Sequence, residues 1–355
     1  MAGAKRIHRP TSLDVARLAG VSQTTVSFVI NGVMDAGISE ETRTRVLEAI
    51  DQLDYHPHAA AQNLRNRSSH ILGMAIPETN PHLLEIAMGA EDYAQSKQYG
   101  MFLSITDFLA GKERRSLEWL QQQRYDALIL MSRNKIILQE EIHALRKKGY
   151  PITILGFRGS GMDSVLVDER QGQEELFRHL AALGHQRIGY IYGVADQTLF
   201  SERLDSCLAI QQSMGFPVIE RFIRRCGPTT DEGYAATLAL MADCAGAERP
   251  TALIVVNDAL ASAALAALYS LGINVPTHMS VASFDNTSNA VYSLPPLTTV
   301  DCEARVIGAE GARLTIERLM APERPPESIY TRSKLVVRAS TGPVPRLVNS
   351  AKHAD

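Results

Sequence analysis

Two groups of polar side chains in this sequence have the types and spacing for recognition chemistry. In the stretch QTTVSFVI, residues 23–30, helical periodicity leaves Gln23, Thr24, Ser27 and Phe28 facing outward. Three of them are short hydroxyl or amide groups that can hydrogen-bond to nucleic-acid base edges and phosphates. Phe28 has two readings, as apolar contact for a thymine methyl group or as a core residue of a small helical module. The second group closes short apolar runs: Asp107, Ser132, Asn257 and Asp285 each stand where such a run ends. Ligands of open α/β sheets bind outside the carboxyl ends of the strands, so these positions are candidates for a binding cleft. The sequence contains no G-x-S-x-G elbow, H-E-x-x-H pair, phosphate loop or G-x-G-x-x-G after a strand, so neither an enzyme nor a bound cofactor is expected. Its four cysteines, Cys207, Cys226, Cys244 and Cys302, are scattered without the close pairs of a zinc or redox site. No metal is expected either.

The elements that must position the first group are short helices. Thr11 can cap a helix with Asp14 at its third position, and Val15, Leu18 and Ala19 then fall on one face. Gly20 ends that helix, Val21 can fill the gap, and Ser22 can cap a second helix that buries Val26, Val29 and Ile30. A third helix opens at Ser39, carries Glu40 and Glu41 where the helix dipole favours them, and buries Val46, Ile50 and Leu53. The spacing predicts a three-helix, helix-turn-helix module, although an ordinary αα-hairpin has the same pattern. After Tyr55, the segment HPHAAAQNLRNRSSH favours a helix of about two turns starting near Pro57, too short to be stable alone. A plain linker remains the alternative for that segment.

The second group needs a different scaffold. From Ile71 onward, apolar runs ILGMAIP, MFLSITD, ALILMS, PITILGF, RIGYIYG, TALIVVN and MSVASFD alternate with amphipathic stretches such as Leu83–Lys97 and Ala259–Leu271. Repeated strand–helix units imply parallel sheets covered by helices, and the number of strands implies two sheets. The chain of 355 residues is long enough for two or three domains, and its 45% hydrophobic and 21% charged composition is that of a folded protein.

Net charge is −3, which would disfavour a nucleic-acid partner if charge were evenly spread. It is not: in residues 1–30, Lys5, Arg6, Arg9 and Arg17 face one acid, Asp14, before an acidic stretch from Glu40 to Asp54. No apolar run approaches the roughly 20 residues needed to cross a bilayer, and no secretory signal is evident. A cytoplasmic protein with reduced thiols is expected.

The ordered motif DVARLAGVSQTTVSFVIN, followed by ISEETRTRVLEAIDQLDYHPHAAAQNLR, resembles the DNA-binding head and hinge of the LacI/GalR family of bacterial transcription regulators. The resemblance continues through VDERQGQEELFRHLAALGHQRIGYI, PTALIVVNDALASAALAAL, SVASFDN, PPLTTVD and LVVRASTG, covering nearly the whole chain. It implies an all-α head, residues 1–56, a hinge helix and linker, residues 57–69, and an α/β core, residues 70–345. That core would comprise two doubly wound parallel-sheet lobes of periplasmic-binding-protein type, followed by a disordered tail, residues 346–355. The lobes would be discontinuous: residues 70–166 with 299–327, and residues 167–298 with 328–345.

The implied function is that of a repressor acting as a homodimer on double-stranded, pseudo-palindromic operator DNA, controlled by a small effector, most naturally a sugar or sugar derivative. The DNA-contact set then extends to Thr11, Ser22, Thr25, Asn31, Tyr55, His58, Ala61 and Gln62. In the family a hinge leucine wedges into the minor groove, and motif position assigns this to Leu64, with Ala61 at the close helix contact. His58 departs from the asparagine usual there. SERLD places Arg203 at the family's effector-contacting arginine; Asn257 and Asp285 match two further contacts, His82 an aromatic one, and Arg158 stands near a frequent aspartate. Each has a simpler reading: Arg203 and Asp285 neutralising each other, Asn257 capping a helix, His82 lying on the surface. A solute-binding protein without DNA function is the rival expectation, and no membrane partner is expected.

Overall fold

The computed structural model describes residues 10–31, 33, 37–55, 68–107, 109–132, 139–193, 198–244 and 248–345, and the chain divides into two compact units, Met1–Ser69 and His70–Asp355. The smaller contains α1 (Ser12–Ala19), α2 (Gln23–Ile30) and α3 (Glu40–Gln52). Its core is Val15, Ala16, Ala19, Val26, Val29, Val46, Ala49 and Tyr55, with Val21, Ile30, Ile50 and Leu53 packed against it. Leu18, expected in that core, is instead 50% exposed. At about 100° per residue, Val15, Ala16 and Ala19 share an arc that leaves Leu18 on its far flank. The first turn is tight because Gly20 adopts φ 67°, the left-handed conformation that ends α1.

The larger unit is built on two six-stranded sheets. Its strands are β1 (Ile71–Ile76), β2 (Gly100–Ile105), β3 (Ala127–Met131), β4 (Ile152–Leu155), β5 (Asp163–Asp168), β6 (Ile188–Tyr192), β7 (Ile223–Arg225), β8 (Ala252–Val255), β9 (Ser280–Phe284), β10 (Thr298–Asp301), β11 (Ser328–Arg332) and β12 (Lys334–Val336). The helices are α4 (Pro81–Ser96), α5 (Ala110–Gln121), α6 (Gln139–Lys147), α7 (Glu169–Ala182), α8 (Thr198–Ser213), α9 (Thr230–Asp243), α10 (Asp258–Ser270), α11 (Ser288–Tyr292) and α12 (Ala304–Met320). One sheet runs β11-β5-β4-β3-β1-β2 and the other β12-β10-β9-β8-β6-β7. Every pairing is parallel except β10 with β12. Central strands are buried on both faces: Met74 and Ile129 lie in one core cluster, their neighbours Ala75, Leu128 and Leu130 in another. This two-sided burial is why the strands read as continuous apolar runs.

All seven apolar runs are strands, joined among the described residues by five more: β5, β7, β10, β11 and β12. The lobe boundaries differ from expectation. Thr298–Asp301 still pairs with β9 in the second sheet, so the chain returns to the first sheet after Asp301 rather than at Thr299. Ser328–Arg332 pairs with β5 in the first sheet, so the third crossing falls at Ser333 rather than near 328. Hydrogen bonds fix that point: the buried Ser333 hydroxyl donates to the Asp168 carbonyl at 2.6 Å and accepts from the Gly172 N–H at 3.0 Å.

The first lobe is closed by an intimate crossing of α4 and α12. A Cβ at Gly308 would sit 1.8 Å from the Ile86 carbonyl oxygen, and one at Gly89 would sit 2.1 Å from that of Arg305. Only glycine permits this approach. Among the described residues no helix is long and apolar enough to cross a membrane, and no cluster of three or more His, Cys, Asp or Glu could hold a metal ion. The four cysteines are buried and unpaired.

Candidate nucleic-acid-reading face and ligand cleft

Local hydrogen bonds set the head's polar face. Thr11 and Asp14 form a reciprocal capping box, the Thr11 N–H donating to the Asp14 carboxylate at 2.8 Å. Ser22 caps α2, accepting from the Thr25 N–H at 3.1 Å, and its hydroxyl lies 2.8 Å from that of Thr25. Gln23 reaches back to α1, its amide donating to the Ser12 hydroxyl at 2.7 Å. At the other end the Asn31 amide donates to the Ser27 carbonyl at 2.6 Å. Gln23, Thr24, Phe28 and Asn31 are exposed and Ser27 half-buried, on the side of α2 away from buried Val26 and Val29. Phe28 is therefore no core residue, at 37% exposed.

Tyr55, by contrast, is 8% exposed and packs in the head's core. His58, Ala61, Gln62 and Leu64, and with them the hinge helix, lie outside the described residues.

In the larger unit, a cavity of about 320 Å³ opens between the carboxyl ends of the two sheets. Its lining draws on Asn80 and His82 after β1, Met131 at the end of β3, Gly156 after β4, Asp168 and Glu169 at the end of β5, and Asn257, Asp285 and Cys302 after β8, β9 and β10. Four expected residues, His82, Arg203, Asn257 and Asp285, converge there.

Three do not line it. Asp107 lies two residues past the edge strand β2 and is ion-paired on the surface with Lys112. Ser132 turns inward, donating to Glu113 at 3.1 Å, whose carboxyl is pushed up by burial and partly held down by that bond. Arg158 is exposed, 3.3 Å from the Tyr330 hydroxyl. The strand-end rule marks the rim of each sheet without saying which strands flank the opening.

Arg203, on α8, is the most constrained of the convergent four. Its Nε and Nη2 donate to the two oxygens of Glu169, at 2.7 and 2.6 Å. Nη1 donates to the Val256 carbonyl at 2.6 Å and lies 3.7 Å from Asp285. The guanidinium stacks 4.5 Å over the Phe284 ring. Burial works against its charge, but the adjacent Glu169 carboxylate outweighs that and raises its pKa. The expected Arg203–Asp285 pairing is thus present at 3.7 Å but joined by a closer, two-pronged Arg203–Glu169 pair within one lobe. Glu169, the first residue of α7, was missed from sequence, together with Asp168, Arg170, Gln173, Glu202 and Ser206. The readable signal was a carboxylate one residue past a strand end, in VDERQG.

Asn257 caps α10, its Oδ1 accepting from the Leu260 N–H at 2.8 Å, and the residue also lines the cavity. His82 presents a solvent-shielded Nδ1 that makes no hydrogen bond. Asp285 is held by a buried neighbour. Asp258 accepts from the Thr287 N–H at 2.6 Å and hydroxyl at 3.0 Å, and from the Ser283 and Thr299 hydroxyls at 2.5 and 2.8 Å. These bonds fix a loop in which Asp285 and Asn286 have φ 102° and 55°.

Such an arrangement, polar groups of both lobes facing one cavity, can bind a small polar molecule and couple its presence to lobe geometry. Residues 11–58 match the family model for bacterial regulatory proteins of the lacI family, and residues 177–341 match the periplasmic binding protein-like domain. The chain is 32% identical over 340 residues to the HTH-type transcriptional repressor PurR of Photobacterium profundum, covering 93% of this chain and 98% of that protein. It is 31% identical to the HTH-type transcriptional regulator DegA of Bacillus subtilis, covering 95% and 99%. Among solved structures, the transcriptional regulator CelR in complex with cellobiose is 27% identical, covers 94% of this chain and 100% of its own, and has a TM-score of 0.69. The lac repressor dimer bound to operator and the anti-inducer ONPF, 24% identical with the same coverage, shares the fold at a TM-score of 0.84. With its helix-turn-helix head and two parallel-sheet lobes, this chain belongs to the lacI family of bacterial regulatory proteins.

Proposed function

We propose that the protein is a dimeric, sequence-specific repressor whose affinity for a pseudo-palindromic operator is set by a small molecule, of sugar or polyol type, held between the lobes. The observation that carries this reading is the joining, in one chain, of an exposed polar face on α2 to a cavity where His82, Arg203, Asn257 and Asp285 converge. A relative is named a repressor and a solved neighbour holds cellobiose; both agree with it. Exposed apolar side chains on α10 and α11 and along the edge strand β2 supply surface for a second copy. Effector binding would change the relative position of the lobes, and through residues 57–69 the spacing of two heads. A coupling of about 1–3 kcal/mol changes operator affinity roughly 5–150-fold, enough for a switch.

The test is selection of a preferred duplex from a random pool, followed by retardation at fixed salt with sugars, polyols, sugar acids and nucleobases. A palindromic site whose binding responds to one compound is the expected result. Failure to retard any duplex at low salt would favour the solute-binding reading instead. Arg203→Ala should abolish the effector response while leaving operator binding intact; an unchanged response would remove Arg203 from the site.

A further inference from the structure

Resting on the reading that this cavity is the effector site, we infer that it takes an uncharged or cationic ligand rich in hydrogen-bond donors, that it excludes anions, and that Glu169 sets this selectivity by occupying Arg203. Among the described residues two arginines line the cavity, and both are engaged. Arg203 directs Nε and Nη2 to Glu169 and Nη1 to the Val256 carbonyl, with one face covered by Phe284. Arg170 is turned to solvent and paired with Glu174 at 2.9 Å.

Against these stand four lining carboxylates, Asp168, Glu169, Glu202 and Asp285. An entering phosphate or carboxylate would meet net negative charge from these described lining residues. It would also have to displace Glu169 from the more deeply buried Arg203, leaving a half-buried carboxylate without its counter-ion, which is unfavourable. Hydroxyls or an ammonium group meet no such barrier, because carboxylates accept hydrogen bonds with either. Glu169 is itself held in place, its Oε2 also accepting from the Gln173 amide at 3.3 Å. Gln173 in turn accepts from Ser206. The guard is built into α7 and α8 rather than left to a mobile surface side chain.

The experiment uses the full chain without DNA and inorganic sulfate as the anion probe, titrated calorimetrically at constant ionic strength. Wild-type protein should show no saturable sulfate binding. Glu169→Gln, which removes one charge and one of the two acceptors facing Arg203, should gain it, with affinity raised roughly 10- to 100-fold as expected for a charge-assisted hydrogen bond. The gain should vanish in Glu169→Gln/Arg203→Ala. Saturable binding to wild type that Arg203→Ala abolishes would overturn the exclusion of anions. A folded Glu169→Gln that gains nothing would overturn the role of Glu169. Should that variant not fold, the wild-type titration and its Arg203→Ala control still decide the exclusion. Because no operator enters this measurement, failure of the regulator reading and failure of the selectivity are scored separately.

Discussion

The Asp258 carboxylate accepts four hydrogen bonds from three residues on β9, β10 and the loop between β9 and α11. Burial and the nearby Asp285 carboxylate nonetheless push its pKa up to about 6 from 3.8, with the hydrogen bonds pulling the other way. A raised acid pKa means that the folded chain keeps a proton the unfolded chain has released, so between these two values stability falls as pH rises. Asp258→Asn keeps shape and acceptors for Thr287 while the hydroxyls of Ser283 and Thr299 can turn to accept. Its effect should therefore be mainly to remove this titration. The difference in unfolding free energy, wild type minus Asp258→Asn, should decline from pH 3.8 to about 6; a flat or rising difference would refute the assignment. Asp258→Ala leaves four donors unmatched and should cost on the order of 1–3 kcal/mol in a urea titration.

At this scale, the placement of side chains singled out by type and motif was legible: Arg203, Asn257 and Asp285 stand in the cavity. Glu169 and Asp258 were not, because their importance comes from partners 34 and 25 or more residues away in sequence. Periodicity carries no information on pairings of that range.

Elements were more legible than residues. Expected helices at 83–97 and 259–271 are Pro81–Ser96 and Asp258–Ser270, and the caps at Thr11, Ser22 and Ser39 all form. Local hydrogen bonds set these features, so local sequence reports them. What stayed hidden was long-range: β7 and β12 are only three residues long, and the sheet that claims β10 or β11 depends on pairing rather than composition. The α4–α12 crossing is of the same kind. Alanine at 308 would improve helix propensity by about 1 kcal/mol, but its Cβ would collide with a backbone carbonyl that cannot rotate away. Overpacking of this kind costs about 1–3 kcal/mol, so sterics should win and Gly308→Ala should destabilise the larger unit. Gly111→Ala, where a Cβ meets nothing within 4 Å, should instead be neutral or stabilising. Urea unfolding read by the single tryptophan, Trp119, which lies in this unit, separates the two cases. Equal midpoints would mean that the helices part without cost.

At the scale of the whole molecule, two-lobed architecture was readable because strand and helix periods alternate through some 275 residues from Ile71, whereas assembly leaves its mark only on the folded surface. Tyr269, Tyr292 and Leu294 are 84%, 82% and 90% exposed, and they line one shallow depression with Leu265 and Ala266 beside α10 and α11. On the other lobe Phe102, Leu103 and Ile105 lie exposed on β2, at the open edge of its sheet. Large apolar groups gathered on two lobes, one beside an unpaired strand edge, are costly on a monomer. An obligate homodimer would cover both, within the roughly 2,000–5,000 Å² typical of such interfaces. Leu294→Glu places a charge in the middle of the first patch, so it should shift the proposed dimer toward monomer in sedimentation at micromolar concentration. In the proposed dimer a pseudo-palindromic site would be held by two heads at once, and a monomer would lose that second, effectively intramolecular contact. The same variant should therefore bind a full site about 10²-fold or more weakly, while a single half-site is bound as before. A dimer that survives Leu294→Glu but dissociates with Phe102→Glu would place the contact on the sheet edge instead. Survival of both substitutions would show that these apolar surfaces do not hold two chains together.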